Sequence, residues 1–129
     1  MPLVKFDIVK GRTSEQIQTL LDAAHRALLT SFKVPTRDRY QVVVEHDASH
    51  LVVQDTGLGL KRTNDVVVVS MTSRPRTQAE KVHFYSQLCA ELHKSCGIEA
   101  SDVMISIVTN SDEDWSFGLG EAQFLTKAL

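Results

Sequence analysis

The chain contains one sequence pattern twice, with the second copy 64 residues after the first. Each copy reads as a strand, a helix and a second strand. The strands are predicted at 3–9 and 40–45 in the first copy and at 66–71 and 103–108 in the second. The helices begin at Thr13 and Thr77, and a glutamine or glutamate three residues later completes a capping box in each. A duplicated β-α-β unit restricts the chain to an α/β (α+β) fold.

Two such units predict a four-stranded mixed sheet with two helices on one face. Right-handed crossovers make the two strands of each unit parallel. Residues 66–71 are apolar at every position except Ser70, which is typical of a strand buried on both faces. The helices cover one face only, so self-association is expected to cover the other. We predict one domain of 129 residues, with repeat halves at about 2–57 and 66–110 and a C-terminal tail or hairpin at 111–129.

Charge and composition exclude several classes of function. The formal net charge is -2 with both signs interspersed, which provides no footprint for nucleic acid or an anionic membrane surface. No apolar run is long enough to cross a bilayer, and we expect no signal peptide. Cys89 and Cys96 lie about 10 Å apart along a predicted helix, too far for a disulfide, so both are expected to be reduced, as in the cytoplasm.

Pro2 follows the initiator Met1 and is the first candidate for chemistry. If Met1 is removed, the ring nitrogen becomes a secondary amine, which can act as an acid, a base or a nucleophile near neutral pH. The ordinary alternative is that proline is a common second residue without a function. The rest of the sequence has to decide between the two.

Arg74 and Arg76 flank Pro75 where the third predicted strand gives way to the second helix. The proline holds the residue before it extended, so two guanidinium groups project from a stiff segment. Guanidinium groups bind carboxylates through paired hydrogen bonds, and the helix N-terminus adds positive potential. The pattern predicts a site for a small carboxylic acid. A pair of solvated surface arginines is the alternative that the sequence leaves open.

Two further groups of residues have both a structural and a functional interpretation. Asp38 lies between two arginines, and the sequence alone favours a surface ion pair. The alternative is a carboxylate that raises the pKa of a nearby amine or aligns a water molecule. Trp115, Phe117 and Phe124 either anchor the tail to the core or wall a pocket that excludes water.

Metal and phosphate sites have little support. Cys89, His93 and Cys96 share a predicted helix face, but they do not complete a set of metal ligands. The glycine-rich residues 55–59 do not run from a strand into a helix as a phosphate loop does, so we predict a turn. We therefore expect neither a metal nor a cofactor.

The second-position proline, the doubled β-α-β unit and the uncovered sheet face together resemble the tautomerase superfamily, and within it the malonate semialdehyde decarboxylases. The resemblance extends essentially from Pro2 to the C-terminus. Its most specific parts are Asp38-Arg39-Tyr40, residues 55–59, Ser73-Arg74-Pro75-Arg76 and residues 114–118 (DWSFG). That family is homotrimeric, so the resemblance implies a trimer whose packed sheets cover the bare face.

The resemblance also implies roles for individual residues. Pro2 matches the catalytic amino-terminal proline, which is expected to be cationic, and Asp38 matches the acid that works with it. Arg74 and Arg76 match the pair that holds the substrate carboxylate. The residues that match the hydrophobic wall are Trp115, Phe117, Phe124 and Leu129.

The implied reaction is the cofactor-free decarboxylation of malonate semialdehyde, or a close 3-oxo acid, to an aldehyde and CO2. Protonated Pro2 would polarise the carbonyl by hydrogen bonding, or neutral Pro2 would form an iminium ion with it. A carboxylate near the amine favours the first route. Two alternatives stay open: a tautomerase or hydratase acting on small oxo or unsaturated acids, and a non-enzymatic trimeric module that binds small carboxylates.

Overall fold

The computed structural model describes residues 2–129, in which two helices pack on one face of a four-stranded sheet. Met1, on whose removal the role of Pro2 depends, lies outside this range. The strands are β1 (Leu3–Val9), β2 (Tyr40–His46), β3 (Val67–Ser73) and β4 (Val103–Thr109), and the helices are α1 (Ser14–Phe32) and α2 (Gln78–Cys96). The strand order is β2-β1-β3-β4. Strands β1 and β2 are parallel, as are β3 and β4, whereas β1 and β3 are antiparallel, so the predicted mixed sheet is confirmed.

Both helices begin at the residues that the sequence predicts. The side chains of Thr13 and Thr77 accept hydrogen bonds from the backbone N–H groups of Gln16 and Glu80, whose side chains accept from the threonine backbones in return. Helix α2 ends at Gly97, which has a φ of 68°. That left-handed conformation carries no steric penalty for glycine and closes the helix with hydrogen bonds to its last carbonyls.

The hydrophobic core lies between the sheet and the two helices. Its most buried large side chains are Phe6, Ile8, Leu20, Met71, Phe84, Leu88 and Leu92. Complete burial of such a side chain stabilises the fold by about 1.5–3 kcal/mol before the cost of ordering it. Each half of the repeat contributes one helix and two strands to this core, so neither half buries its apolar surface alone.

The other face of the sheet is open in the single chain. Its side chains alternate along the strands with those of the core. Leu3, Val42, Met104 and Val108 are exposed by 41%, 47%, 44% and 62%. Exposed apolar side chains on β1, β2 and β4 together are typical of a surface that another chain covers.

A chain of polar contacts crosses this open face from β1 to β2. Asp7 lies between Lys5, at 3.7 Å, and His46, at 2.7 Å. The open face therefore combines exposed apolar side chains with a charged seam between β1 and β2.

Three strands and the C-terminal segment differ from the prediction. β2 and β4 each extend one residue further, to His46 and Thr109, and β3 begins at Val67 rather than residue 66. β3 ends at Ser73 rather than residue 71, because Thr72 and Ser73 remain paired with Leu3 and Thr109. Backbone pairing does not need apolar side chains, so the strand outlasts its hydrophobic run. The segment 111–129 forms turns, including a 3-10 turn at Asp112–Asp114, and no hairpin. Within residues 2–129, no helix combines the length and the apolar character needed to cross a membrane.

Candidate active site

The strand directions bring the start of the chain next to the end of β3. The register pairs Leu3 of β1 with Tyr40, the first residue of β2, because these strands are parallel. Leu3 also pairs with Thr72, near the end of β3, because these strands are antiparallel. Pro2 therefore has the start of β2 on one side and the end of β3 on the other.

The other candidate residues extend from the same end of the sheet. Asp38 precedes β2, while Arg74 and Arg76 follow β3. β4 runs parallel to β3 and ends beside it, where the backbone N–H of Asn110 donates to the Ser73 carbonyl at 2.9 Å. This contact directs the C-terminal segment 111–129 toward the same end.

Pro2 and Asp38 are both buried. The Pro2 side chain is less than 2% exposed and Asp38 is 6% exposed. The surface interpretation of Asp38 is therefore wrong. Its neighbour Arg39 forms an ion pair at 2.7 Å with Asp22 of α1, so the charge next to Asp38 in the sequence is neutralised elsewhere.

Burial raises the pKa of the Asp38 carboxyl, because a charged carboxylate loses its hydration there. The positive charges of Arg76 and His25 act in the opposite direction without cancelling it. His25 is itself 5% exposed, and its Nε2 lies 3.0 Å from the carbonyl oxygen of Thr36. This contact ties α1 to the loop that carries Asp38. Sequence reasoning missed His25, although it lies four residues after Leu21 and three before Leu28, a spacing that predicts one face of a helix.

The guanidinium of Arg74 is held by the C-terminal segment. Its Nε donates to Asp112 Oδ1 at 2.7 Å, and its Cζ lies 4.1 Å from the centre of the Phe124 ring. A cation over an aromatic face gains electrostatic energy from the ring. Nothing in the sequence identified Asp112 as the partner, because the two residues are 38 positions apart.

The guanidinium of Arg76 is held by the body of the protein instead. Its Nη1 donates to the Phe32 carbonyl at 3.3 Å, and its Cζ lies 5.0 Å from the centre of the Phe32 ring. A longer contact of 3.4 Å joins its Nε to Ser73 Oγ. The two arginines therefore have separate supports, one in the tail and one at the end of α1.

Aromatic rings form a continuous cluster beside Arg74. The ring of Phe117 stacks on those of Trp115 and Tyr40, with ring centres 5.4 Å and 5.6 Å apart. It meets the Phe124 ring edge to face, with the two centres 5.4 Å apart. The indole N–H of Trp115 donates to Asn110 Oδ1 at 2.7 Å, which fixes the plane of the ring. The sequence predicts Tyr40 as the first residue of a strand and as part of the motif Asp38-Arg39-Tyr40, but not as a member of this cluster.

Leu129, the fourth residue expected in the hydrophobic wall, is 62% exposed in the single chain. The other three wall residues are in mutual contact through Phe117. In the part of the chain that the structure describes, no three His, Cys, Asp or Glu side chains cluster as metal ligands. The end of the sheet that carries Pro2 thus also carries a buried carboxylate, two guanidinium groups and a cluster of aromatic rings, a set of groups suited to a small carboxylic acid.

Two protein-family models match the chain, and both describe a tautomerase enzyme. One covers residues 38–118 and the other residues 2–61. The probable tautomerase YrdN of Bacillus subtilis (strain 168) is 49% identical over 129 residues, which is 100% of both chains. The probable tautomerase YusQ of the same organism is 30% identical over 126 residues, covering 97% of this chain and 99% of that one.

The solved structures that resemble this chain include two malonate semialdehyde decarboxylases. A malonate semialdehyde decarboxylase, described as having decarboxylase and hydratase activities, is 50% identical with a TM-score of 0.97, and 98% of each chain is covered. The FG41 malonate semialdehyde decarboxylase is 36% identical with a TM-score of 0.94, covering 98% of this chain and 97% of that one. A fused 4-OT, described as a symmetric trimer, shares the fold at 20% identity and a TM-score of 0.76, over 92% and 94% of the two chains.

Proposed function

The chain belongs to the tautomerase superfamily, and from that premise we propose that it is a cofactor-free decarboxylase of malonate semialdehyde or a close 3-oxo acid. The observation that carries the proposal is the meeting of Pro2, Asp38 and the two arginines at one end of the sheet. The full-length similarity to two malonate semialdehyde decarboxylases supports the choice of reaction within the superfamily.

The first step is the binding of the substrate carboxylate by Arg74 and Arg76. The Nε of Arg74 is occupied by Asp112, so its terminal nitrogens are the donors that remain for a ligand. Two guanidinium groups with separate supports fix the plane of a carboxylate as well as its position. This orientation aligns the C1–C2 bond of the substrate with the π system of its carbonyl, as the bond cleavage requires.

The second step is the cleavage of that bond. Once Met1 is removed, the Pro2 amine is cationic and donates a hydrogen bond to the carbonyl oxygen at C3. The electron pair of the C1–C2 bond moves into the carbonyl and CO2 leaves. The enolate of acetaldehyde that remains, stabilised by the hydrogen bond from Pro2, takes a proton at C2 from solvent water. The Asp38 carboxylate stabilises the cation on Pro2, which favours hydrogen bonding over iminium formation.

The aromatic cluster acts on the departing group. Trp115, Phe117 and Phe124 give the site an apolar wall on the side of Arg74. Excluding water strengthens the charge interactions inside the site and suits the release of an uncharged product. We assign Leu129 to the same wall, where closure of the exposed chain end would bring it to the rings.

We propose that the working form is a homotrimer in which the open sheet faces pack together. The exposed apolar side chains of Leu3, Val42, Met104 and Val108 support it, as does the trimeric state given for a fused 4-OT of the same fold.

Both cysteines are free thiols in the structure, which is consistent with a protein of the cytoplasm.

A tautomerase or hydratase is the second candidate, favoured by the two probable tautomerases among the relatives and by the hydratase activity named for the solved decarboxylase. Tautomerase chemistry needs neutral Pro2 as a base, whereas decarboxylation and hydration need it protonated. The pKa of the Pro2 amine therefore separates the candidates: a value below neutral favours the tautomerase, and a value above neutral favours the decarboxylase or hydratase.

The decisive experiment measures acetaldehyde release from malonate semialdehyde by protein from which Met1 has been removed, as verified by mass spectrometry. We expect rapid release by the parent and a loss of at least about 100-fold in Pro2→Ala and in Arg76→Ala. Arg26→Ala is the matched control, because Arg26 is bound to Glu91 on the helix layer, away from the site. It should retain the activity of the parent.

Three outcomes would contradict the proposal. No release by the verified parent would remove the decarboxylase assignment and leave the tautomerase scaffold. A covalent adduct at Pro2, trapped by borohydride in the presence of substrate, would replace hydrogen bonding by iminium catalysis. Native protein that retains Met1 would lack the secondary amine and would favour a carboxylate-binding module.

A further inference from the structure

A second cavity lies at the end of the sheet opposite Pro2, where β1 ends and α1 begins. Its volume is about 700 Å³. We call it the far groove; the polar residues that define it are Lys10, Arg12, Glu15, Gln16, Asp65 and Ser95. Arg12 is positioned by a hydrogen bond of 2.8 Å from its Nη2 to the Asp65 carbonyl, which occupies one of the five N–H donors of its guanidinium.

The far groove is the counterpart of the candidate active site in the other half of the repeat. A shift of 64 residues places Lys10 on Arg74 and Arg12 on Arg76. In both halves the two cations lie one and three residues after a strand end, directly before the threonine that caps a helix. β1 and β3 are antiparallel, so the two pairs of cations lie at opposite ends of the sheet.

The amine and the acid of the candidate active site have no working counterparts in the far groove. The residue equivalent to Pro2 is Val66, whose nitrogen is an internal amide. The residue equivalent to Asp38 is Asp102, which is 1% exposed and accepts hydrogen bonds from the backbone N–H and the hydroxyl of Thr63. The far groove therefore keeps the carboxylate-binding pair and lacks the groups that would polarise a carbonyl.

Two carboxylates take the place of the missing amine. Asp65 directly precedes Val66, and Glu15 lies in the first turn of α1; both line the far groove with Lys10 and Arg12. A simple carboxylate would be attracted by the cations and repelled by these acids. A ligand that carries a carboxylate and an ammonium group a few bonds apart satisfies both pairs.

From this pairing we infer that the far groove is a second, non-catalytic site for a small zwitterion such as an amino acid. Arg12 and Lys10 bind its carboxylate, while Asp65 and Glu15 bind its ammonium group. The present partner of Lys10 does not prevent this, because its ion pair with Asp47 has a length of 3.2 Å and both side chains are more than half exposed. Such surface pairs exchange partners at little cost.

The choice of ligand rests on the proposed role of Arg74 and Arg76 as carboxylate binders, so its test must not depend on enzymatic activity. We would follow the backbone amide signals of the processed full-length protein by NMR while adding β-alanine. Propionate and propylamine, each of which carries one of its two charges, are the ligand controls. The variants are Arg12→Gln, Arg76→Gln and, as a surface control, Arg37→Gln, which removes an exposed arginine at the other end of the sheet.

We expect saturable shifts of residues 10–16 with β-alanine at a Kd of about 1 mM, and binding at least about tenfold weaker in Arg12→Gln alone. Propionate and propylamine should each bind at least about tenfold more weakly than β-alanine. Shifts that follow Arg76 instead of Arg12, equal binding of propionate, or no saturation with β-alanine would each overturn the inference. Acetaldehyde release by the same protein reports separately on the proposed function.

Discussion

The two ends of the sheet have the same backbone arrangement, and each has a buried aspartate shortly before a strand, Asp38 before β2 and Asp102 before β4. The surroundings of the two carboxyl groups differ. Asp38 lies where the chain begins, and burial raises the pKa of its carboxyl. Asp102 directly precedes β4, at the end of the sheet where Val66, an internal residue, takes the place of Pro2. Its carboxylate accepts hydrogen bonds from Thr63, one of them 2.7 Å long, and so holds the segment before β3. The duplicated fold thus uses one aspartate for structure and presents the other to the start of the chain.

The C-terminal segment makes a second difference between the ends. It covers only the end that carries Arg74, where it supplies Asp112 and the aromatic cluster. Among residues 2–129, those that line the far groove lie between Val9 and Ile98, so the C-terminal segment does not cover it. Duplication therefore provides two equivalent positions for a pair of cations, and the chain start and the C-terminal segment make the surroundings of the two pairs different.

The strongest effect that we expect is on activity, at the end of the sheet that carries Pro2 and Asp38. Asp38→Asn should lower kcat by about 100-fold, because an amide cannot stabilise the Pro2 cation. Asp102→Asn should keep kcat within about twofold of the parent wherever the variant is folded, since it acts on a remote segment. The measurement is steady-state acetaldehyde release, with folding checked by circular dichroism. Equal losses in both variants would break the comparison.

The next effect is on stability and concerns Asp102, at the end of the sheet opposite Pro2. Asp102→Ala should lower the free energy of unfolding by about 3 kcal/mol, because it removes two hydrogen bonds from Thr63 to a buried carboxylate. Urea denaturation at one fixed protein concentration measures it, since assembly would otherwise change the apparent stability. Thr63→Ala completes a double-mutant cycle. A coupling energy near zero would show that the two side chains act independently.

A smaller effect is expected from the tail. Asp112→Asn should raise KM about threefold to fivefold with little change in kcat, because the lost ion pair is partly exposed and only positions Arg74. Glu113→Gln removes the same charge from the next residue and is the matched control. If both variants raise KM equally, general electrostatics rather than the contact with Arg74 is responsible.

The smallest effect is a pH dependence of stability. Since the pKa of Asp38 is raised in the folded state, the folded protein binds more protons than the unfolded chain above the ordinary carboxyl pKa of about 3.9. Asp38 therefore destabilises the fold increasingly as pH rises through that window. Asp38→Asn should gain stability relative to the parent between acidic and neutral pH in urea titrations. A constant difference across that range would contradict the burial argument.

The repeat made most of the fold predictable from the sequence. Both helix caps depend on contacts three residues apart, which the sequence displays directly. The end of β3 was misjudged because Thr72 and Ser73 are paired by backbone groups, which hydrophobicity does not report. The turns of 111–129 follow no periodic pattern, so neither a hairpin nor its absence could be predicted.

The site was less predictable, because burial and partners arise from tertiary packing. The flanking arginines suggested a surface position for Asp38, whereas Arg39 turns to Asp22 and leaves Asp38 buried. The contact between Arg74 and Asp112 joins residues 38 positions apart, so no local pattern contains it. The roles of Pro2, Arg74 and Arg76 remain predictions that depend on the family resemblance.

The burial of Pro2 at the very start of β1 has a consequence for handling the protein. Any peptide joined ahead of Pro2 turns its nitrogen into an amide, so a protein with an N-terminal affinity tag or fusion partner would lack the amine that the proposed function requires. The other terminus has more room, because Leu129 is 62% exposed. Labels and tags belong there, although the proposed wall contact of Leu129 makes a removable one the better choice.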